Sequence, residues 1–425
     1  MIEISVFSRY NVYMEIEVLN NLEYLNEKEK EELLELLNGE AKTSTIFYNN
    51  LSFIMQKWHE EFDGFDIPSG IVTISINGNN LYLPFGEKKY DENTIFDIAS
   101  MSKLYTEFIL FGVIDDYGIS FENKISDLVD FYDSINYLTL MDLISFNNTY
   151  LTKIDIRNCT NKEDAIKALR TTYIDESKKG YYLYTDLPIM ILTDVLETYT
   201  KMSYKELFKK YIIDKYDLNN TFLDINSDNY VTLNKNLTND PKANIMGGYY
   251  GHCGVKTTCA DFMKFLNNAL NNKNSHLLIE KSDTLNSDGS RCIKKGKIGN
   301  SNLSVENDDS LASKYLPSDG FAIQGSVRCH GETCNFKIGD KEYRVSSSIF
   351  LDLYTQYDNI LRYESKIGKK ITKHYNVDNY GPLIMCDIRN LLSYKTTFKD
   401  ITNLIGICRV VELNKELKEE NVIHL

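Results

Sequence analysis

Hydrophobic and polar positions alternate through the first stretch of the chain, MIEISVFSRYNVYMEIEVL, as one or two strands require. The following NEKEKEELLELLNGE carries a short helical period, with Asn26 as its cap and Gly39 as its stop. The texture changes from Gly64. In SGIVTISINGNNLYLPFGE, β-branched residues alternate, the chain turns at Asn77-Gly78, and a second strand follows, which predicts a hairpin. Between Ile98 and Asp116, Leu104, Phe108, Phe111 and Ile114 recur at helical spacing. Helical periods dominate the middle, in DAIKALRTTY, DLPIMILTDVLETYT, SYKELFKKYII and TCADFMKFLNNAL. Strand texture returns in DGFAIQGSVRCH, EYRVSSSIFLDLY and NLIGICRVVEL.

Strands at both ends with helices between them predict an α/β fold. Its antiparallel sheet, flanked by helices, pairs the N-terminal hairpin with the C-terminal strands, and a helical subdomain of about residues 120–270 is inserted. Residues 1–60 read as an N-terminal extension and 61–360 as the main domain. Residues 361–425 read as a segment that completes the sheet or is appended to it.

The formal net charge of -14 repels phosphate backbones and anionic membrane surfaces, so a nucleic-acid partner is not expected. No run of about 18 apolar residues occurs, so no membrane span is expected. The N-terminus lacks the basic flank and long apolar core of a secretory signal, which makes the cytoplasm the expected compartment. The 8 cysteines are few for the length and read as free thiols. Cys329 and Cys334 flank an expected turn with His330 between them, but no second ligand pair accompanies them. Neither a metal nor a cofactor is expected, and the oligomeric state is left open.

Candidate chemistry lies in FDIASMSKLYTEF. Ser100 and Lys103 share a helix face, at a helix start where unpaired N–H groups favour a developing oxyanion. Desolvated among neighbours such as Ile98 and Leu104, Lys103 would have a lowered pKa and could take the serine proton. The pair alone reads as a capping serine followed by a solvated lysine; its flanks change that reading.

The succession SGIVTISINGNNLYLPFGEKKYDENTIFDIASMSKLYTEF resembles the serine β-lactamase and penicillin-binding-protein superfamily, in particular its β-lactamase-like peptidase and esterase branch. Thr94, Phe96, Ile98, Ala99, Ser100 and Lys103 match its nucleophile stretch, and YGISFENKISDLVDFYDSINYLTLMDLISF resembles the segment downstream. The resemblance spans roughly residues 64–360 and weakens after 270. It implies a β-lactamase/transpeptidase-like fold in which Ser100 is the nucleophile and Lys103 the general base.

The family's second motif, Tyr-x-Asn, is matched by Tyr184, Thr185 and Asp186, which implies that Tyr184 relays the proton. Without the resemblance, Tyr184 reads as a buried aromatic and Asp186 as a helix cap. Asp in place of Asn removes two amide donors and adds negative charge beside the substrate carbonyl. GGYYGHCGVKTTCADF resembles the glycine-rich segment bordering the cleft; Gly247, Gly248, Gly251 and Gly254 are expected to give its unusual dihedrals, and His252 to face substrate or stay structural.

The third motif has two placements. One is Gln324, Gly325 and Ser326 in AIQGSVR, where the glycine lets a backbone approach substrate and GETCNFKIGDKEY is an inserted hairpin. The other is Lys341 before the strand RVSSSIFLD. The first is preferred. One oxyanion donor stays unassigned, and the N–H of Ser100 is the other. The family's His-x-Ser-Gly turn is absent; SFNNTY stands at 145–150.

The resulting expectation is a serine hydrolase working through an acyl-enzyme on a small-molecule or peptide substrate with an amide or ester bond. The alternative is a catalytically inactive relative that keeps the fold as a binding or regulatory protein.

Overall fold

The computed structural model describes residues 69–226, 230–231, 238, 240–280, 285–286, 297, 320–325, 329–338, 341–352, 365–366 and 368. The extension 1–60, nearly all of 361–425 and the expected strand NLIGICRVVEL lie outside the described residues.

The hairpin forms as the sequence predicts. Strands β1 (Gly70–Ile76) and β2 (Asn79–Phe85) turn through Asn77 and Gly78 at φ 50° and 87°. Two successive positive φ values are what a two-residue hairpin turn needs, and Asn-Gly supplies them at little cost. Three more antiparallel strands complete the sheet: β6 (Gly320–Gly325), β7 (Cys329–Ile338) and β8 (Lys341–Leu351). The order is β6-β7-β8-β1-β2, with β8 paired to β1 from Gly70↔Leu351 to Ile76↔Val345. The N-terminal hairpin thus closes on the C-terminal strands.

Two sequence readings in this region change. Cys329 and Cys334 flank no turn: both lie within β7, where Cys329 is buried. GETCNFKIGDKEY does form a hairpin, but its arms are the central strands β7 and β8 rather than an insertion.

Helix α1 (Ser102–Tyr117) is buried without a break from Ser102 to Val113. The spacing of Leu104, Phe108, Phe111 and Ile114 predicted one apolar stripe, but a helix covered on every side belongs to the interior. Tyr105 stacks on Phe265 at 4.3 Å, and Phe108 meets the same ring edge-on at 5.1 Å. Phe265 belongs to α5 (Cys259–Ala269), which lies on the sheet: Asn267 bridges Ser75 of β1 at 2.8 Å and Ser346 of β8 at 2.8 Å. On its other side α1 packs against the middle helices, including α3 (Leu187–Thr200), which follows α2 (Lys162–Leu169). A small sheet, β3 (Ile95–Asp97), β5 (Lys256–Thr258) and β4 (Thr221–Phe222) in that order, joins the entry to α1 to the glycine-rich segment. The short helix α4 (Pro241–Ile245) precedes that segment, with Asp240 capping it through the N–H of Ala243.

Among the described residues, no helix is long and apolar enough to cross a membrane. Cys159 and Cys259 are free thiols.

Candidate active site

Ser100 sits one step earlier than the periodicity suggests. It lies in a 3₁₀ turn, Ala99–Met101, that leads into α1 rather than in the α-helix itself. Ala99 has φ 46°, a conformation that costs a non-glycine residue about 1 kcal/mol or more. Three contacts hold it there. The Ala99 N–H donates to Asp97 Oδ1 at 2.9 Å, Ser102 Oγ donates to the Ala99 carbonyl at 2.6 Å, and Val255 N–H donates to Ser102 Oγ at 3.1 Å. Strand β6 presses on the same turn: a Cβ on Gly325 would lie 2.3 Å from the Ile98 carbonyl oxygen, so only glycine fits.

Lys103 is completely buried, and its Nζ is surrounded by three acceptors. They are Ser100 Oγ at 2.9 Å, the His252 carbonyl at 3.1 Å and Asp186 Oδ1 at 2.8 Å. Three acceptors match the three N–H bonds of an ammonium. The Tyr184 ring lies below the same nitrogen, 4.9 Å from Nζ to its centroid. Phe146 packs on Tyr184 with ring centroids 5.5 Å apart, and its own φ of 56° is kept within a fully buried site. SFNNTY, standing in place of the family's usual turn, therefore supports the phenol.

The electrostatics correct one expectation. Burial pushes the Lys103 pKa down, as the sequence suggested, but the Asp186 carboxylate and the Tyr184 phenol outweigh it. The amine is held above the ordinary lysine value and rests as an ammonium. Burial would raise the Asp186 pKa, but Lys103, His252 and Lys242 reverse that and hold the carboxyl far below the usual range. Asp186 occupies the N-cap position of α3, yet its side chain makes no capping hydrogen bond. One oxygen meets Lys103, and the other meets Lys242 Nζ at 2.6 Å.

His252 does not face an open cleft. Its ring is fully buried and Nε2 lies 3.0 Å from Asp240 Oδ1, while its carbonyl is the atom that reaches Lys103. Asp186, Asp240 and His252 offer ligand atoms within 4.8 Å of one another, but ammonium groups already hold both oxygens of Asp186. The glycine-rich segment behaves as expected at Gly247, Gly248 and Gly254, which have positive φ. Gly251 differs: it is needed for space, because a Cβ there would lie 2.0 Å from Thr193 Oγ1.

The two placements of the third motif separate clearly. Gly325 ends β6 against the Ser100 turn, Gln324 precedes it in the strand, and Ser326 lies outside the described residues. Lys341 pairs with Ile338 at one end of the β7–β8 ladder, whereas Cys329, paired with Phe350, marks the end at the nucleophile. At about 3.3 Å per residue, those ends are roughly 30 Å apart. Lys341 is therefore not part of the site.

Three residues beyond those singled out in the sequence complete the site: Asp97, Asp240 and Lys242. Asp240-Pro241 is a readable helix start, with a capping acid before a proline at the first helical position. Asp97, two residues before Ala99, is a readable side-chain turn. Nothing local marks Lys242 as the partner of Asp186.

The family model described as Beta-lactamase matches residues 57–292. A curated relative, the teichoic acid D-alanine hydrolase of Staphylococcus aureus, is 22% identical over 217 residues, 49% of this chain and 53% of the relative. The chain thus spans about half the length of the curated relatives it matches. Among solved structures, a class C β-lactamase superposes with TM-score 0.53 at 14% identity, covering 75% of this chain and 98% of that one. A penicillin-binding-protein homologue from Caulobacter crescentus superposes with TM-score 0.51 at 10% identity, covering 73% of this chain and 93% of the other. These likenesses carry the fold, and the family match covers more than half of the chain. By that match, around a half-buried Ser100 and a buried Lys103, the chain belongs to the Beta-lactamase family.

Proposed function

We propose that the chain is a serine hydrolase that forms an acyl-enzyme at Ser100 on a small ester or amide. The observation that carries this reading is the buried Lys103 ammonium, 2.9 Å from Ser100 Oγ and over the Tyr184 ring. Because Lys103 rests charged, the roles differ from a plain lysine base. Tyr184 takes the proton from Ser100, and the adjacent ammonium offsets the charge that develops on the phenol. Ser100 Oγ bonds to the substrate carbonyl carbon, and the proton passes from Tyr184 to the departing oxygen or nitrogen. Water then releases the acyl group from Ser100 by the same relay. The N–H of Ser100 and the end of β6 at Gly325 serve as the oxyanion site.

The Staphylococcus aureus relative, named a teichoic acid D-alanine hydrolase, favours an aminoacyl ester among the candidate substrates.

The test is covalent labelling with a fluorophosphonate probe and a labelled penicillin, read by intact mass. Labelling by at least one probe, lost in Ser100→Ala, is the expected result. No labelling by any acylating probe would favour the second reading, a binding protein on the same fold. The carboxylate of Asp186, standing where the family has an amide, is the observation behind that second reading.

A further inference from the structure

The outer side of the site carries an ion pair that the proposed chemistry does not use. Asp186 is an acceptor where the family's asparagine could also donate. Its inner oxygen is held by Lys103, which is fully buried and saturated by three acceptors. Its outer oxygen is held by Lys242, whose side chain is 24% exposed. The two ammoniums are therefore unequal: Lys103 is locked in place, whereas Lys242 can turn into water about its own stem.

We propose that Lys242 determines specificity by holding the place that a substrate ammonium takes. The acyl part accepted at Ser100 is then an aminoacyl group; this deepens the hydrolase reading and rests on it. Charge balance supports a cationic ligand. A substrate ammonium replaces Lys242 on Asp186 one for one, and the buried Lys103–Asp186 pair keeps its balance. A neutral acyl group offers nothing to displace Lys242. An anionic group faces Asp186 and, nearby, Asp240, whose ligand oxygen lies within 4.8 Å of that of Asp186. Two carboxylates suit an ammonium.

The test uses the full-length Ser100→Ala chain, which cannot acylate, and calorimetric binding of D-alanine methyl ester against methyl D-lactate. The two esters differ in carrying an ammonium or a hydroxyl. The expected result is about tenfold tighter binding of the alanine ester, the scale of a partly desolvated charge pair. Adding Lys242→Met removes the competitor and widens the gap by about another tenfold. Adding Asp186→Asn instead closes it, which keeps the test decisive if Lys242→Met does not fold. Equal binding of the two esters, or weaker binding of the alanine ester in Lys242→Met, overturns the proposal. Because no turnover is read, failure here with Ser100 labelling intact removes only the ammonium site. A retained ammonium preference without labelling removes only the hydrolase reading.

Discussion

Among the described residues Lys103 and Lys256 are both buried, and they behave in opposite ways. Lys103 is 0% exposed and Lys256 is 2% exposed, and both donate to backbone carbonyls. Lys103 reaches that of His252, and Lys256 reaches those of Leu223 at 3.0 Å and Gly248 at 3.3 Å. The Lys256 pKa is lowered, chiefly by burial, with the charges of Asp97, Cys253 and Asp224 too weak to reverse it. The Lys103 pKa is raised, because Asp186 lies in direct contact. Burial alone therefore does not tell which way a lysine titrates; a carboxylate at hydrogen-bond distance decides. The lowered pKa that desolvation was expected to give Lys103 is found at Lys256 instead.

The same substitution at both positions gives the sharpest contrast. Lys103→Met should slow acylation of Ser100 by about a thousandfold, the scale of a group that stabilises charge developing in the transition state. It should also lower stability by about 1–3 kcal/mol, because Asp186 loses its inner partner. Labelling kinetics and denaturant unfolding would read both, and a loss under tenfold in rate would break the contrast. Lys256→Met should shift stability by less than about 1 kcal/mol, since the lost carbonyl hydrogen bonds are offset by removing a strained charge. Equal destabilisation by the two variants would show that the carboxylate contact is irrelevant.

A smaller effect lies in the pH dependence of unfolding. Lys256, with its folded pKa lowered, costs stability while the unfolded lysine is charged. That cost fades as pH rises toward 10.5, the ordinary lysine value. Lys103, with its folded pKa raised, contributes stability below 10.5 that is lost only as pH rises through the higher folded value. Just below pH 10.5 the slope should therefore diminish in Lys256→Met. An unchanged slope would contradict the assignment.

Local signals made the candidate site legible. Ser100 and Lys103 are three residues apart, Tyr184 stands before a helical period, and Asn77-Gly78 sets the hairpin on its own. The errors arose where distant segments meet. Asp186 reads as a cap because it precedes a helix, but its side chain is drawn to Lys103 and to Lys242, which belongs to another helix. His252 reads either as a ring facing substrate or as structural, and only the fold shows its carbonyl reaching Lys103 and its ring bound to Asp240. Lys341 matched by spacing alone, and strand register carried it to the wrong end of the sheet.

The most direct test of the charged Lys103 is the pH profile of Ser100 labelling in the native chain and in Asp186→Asn. Without the carboxylate the hold on the Lys103 charge weakens, so the variant should gain a falling limb as the ammonium that assists Tyr184 loses its proton. The native chain should lack that limb. The same limb in both proteins would mean that Asp186 does not hold the lysine charged, and the account of the site would be wrong.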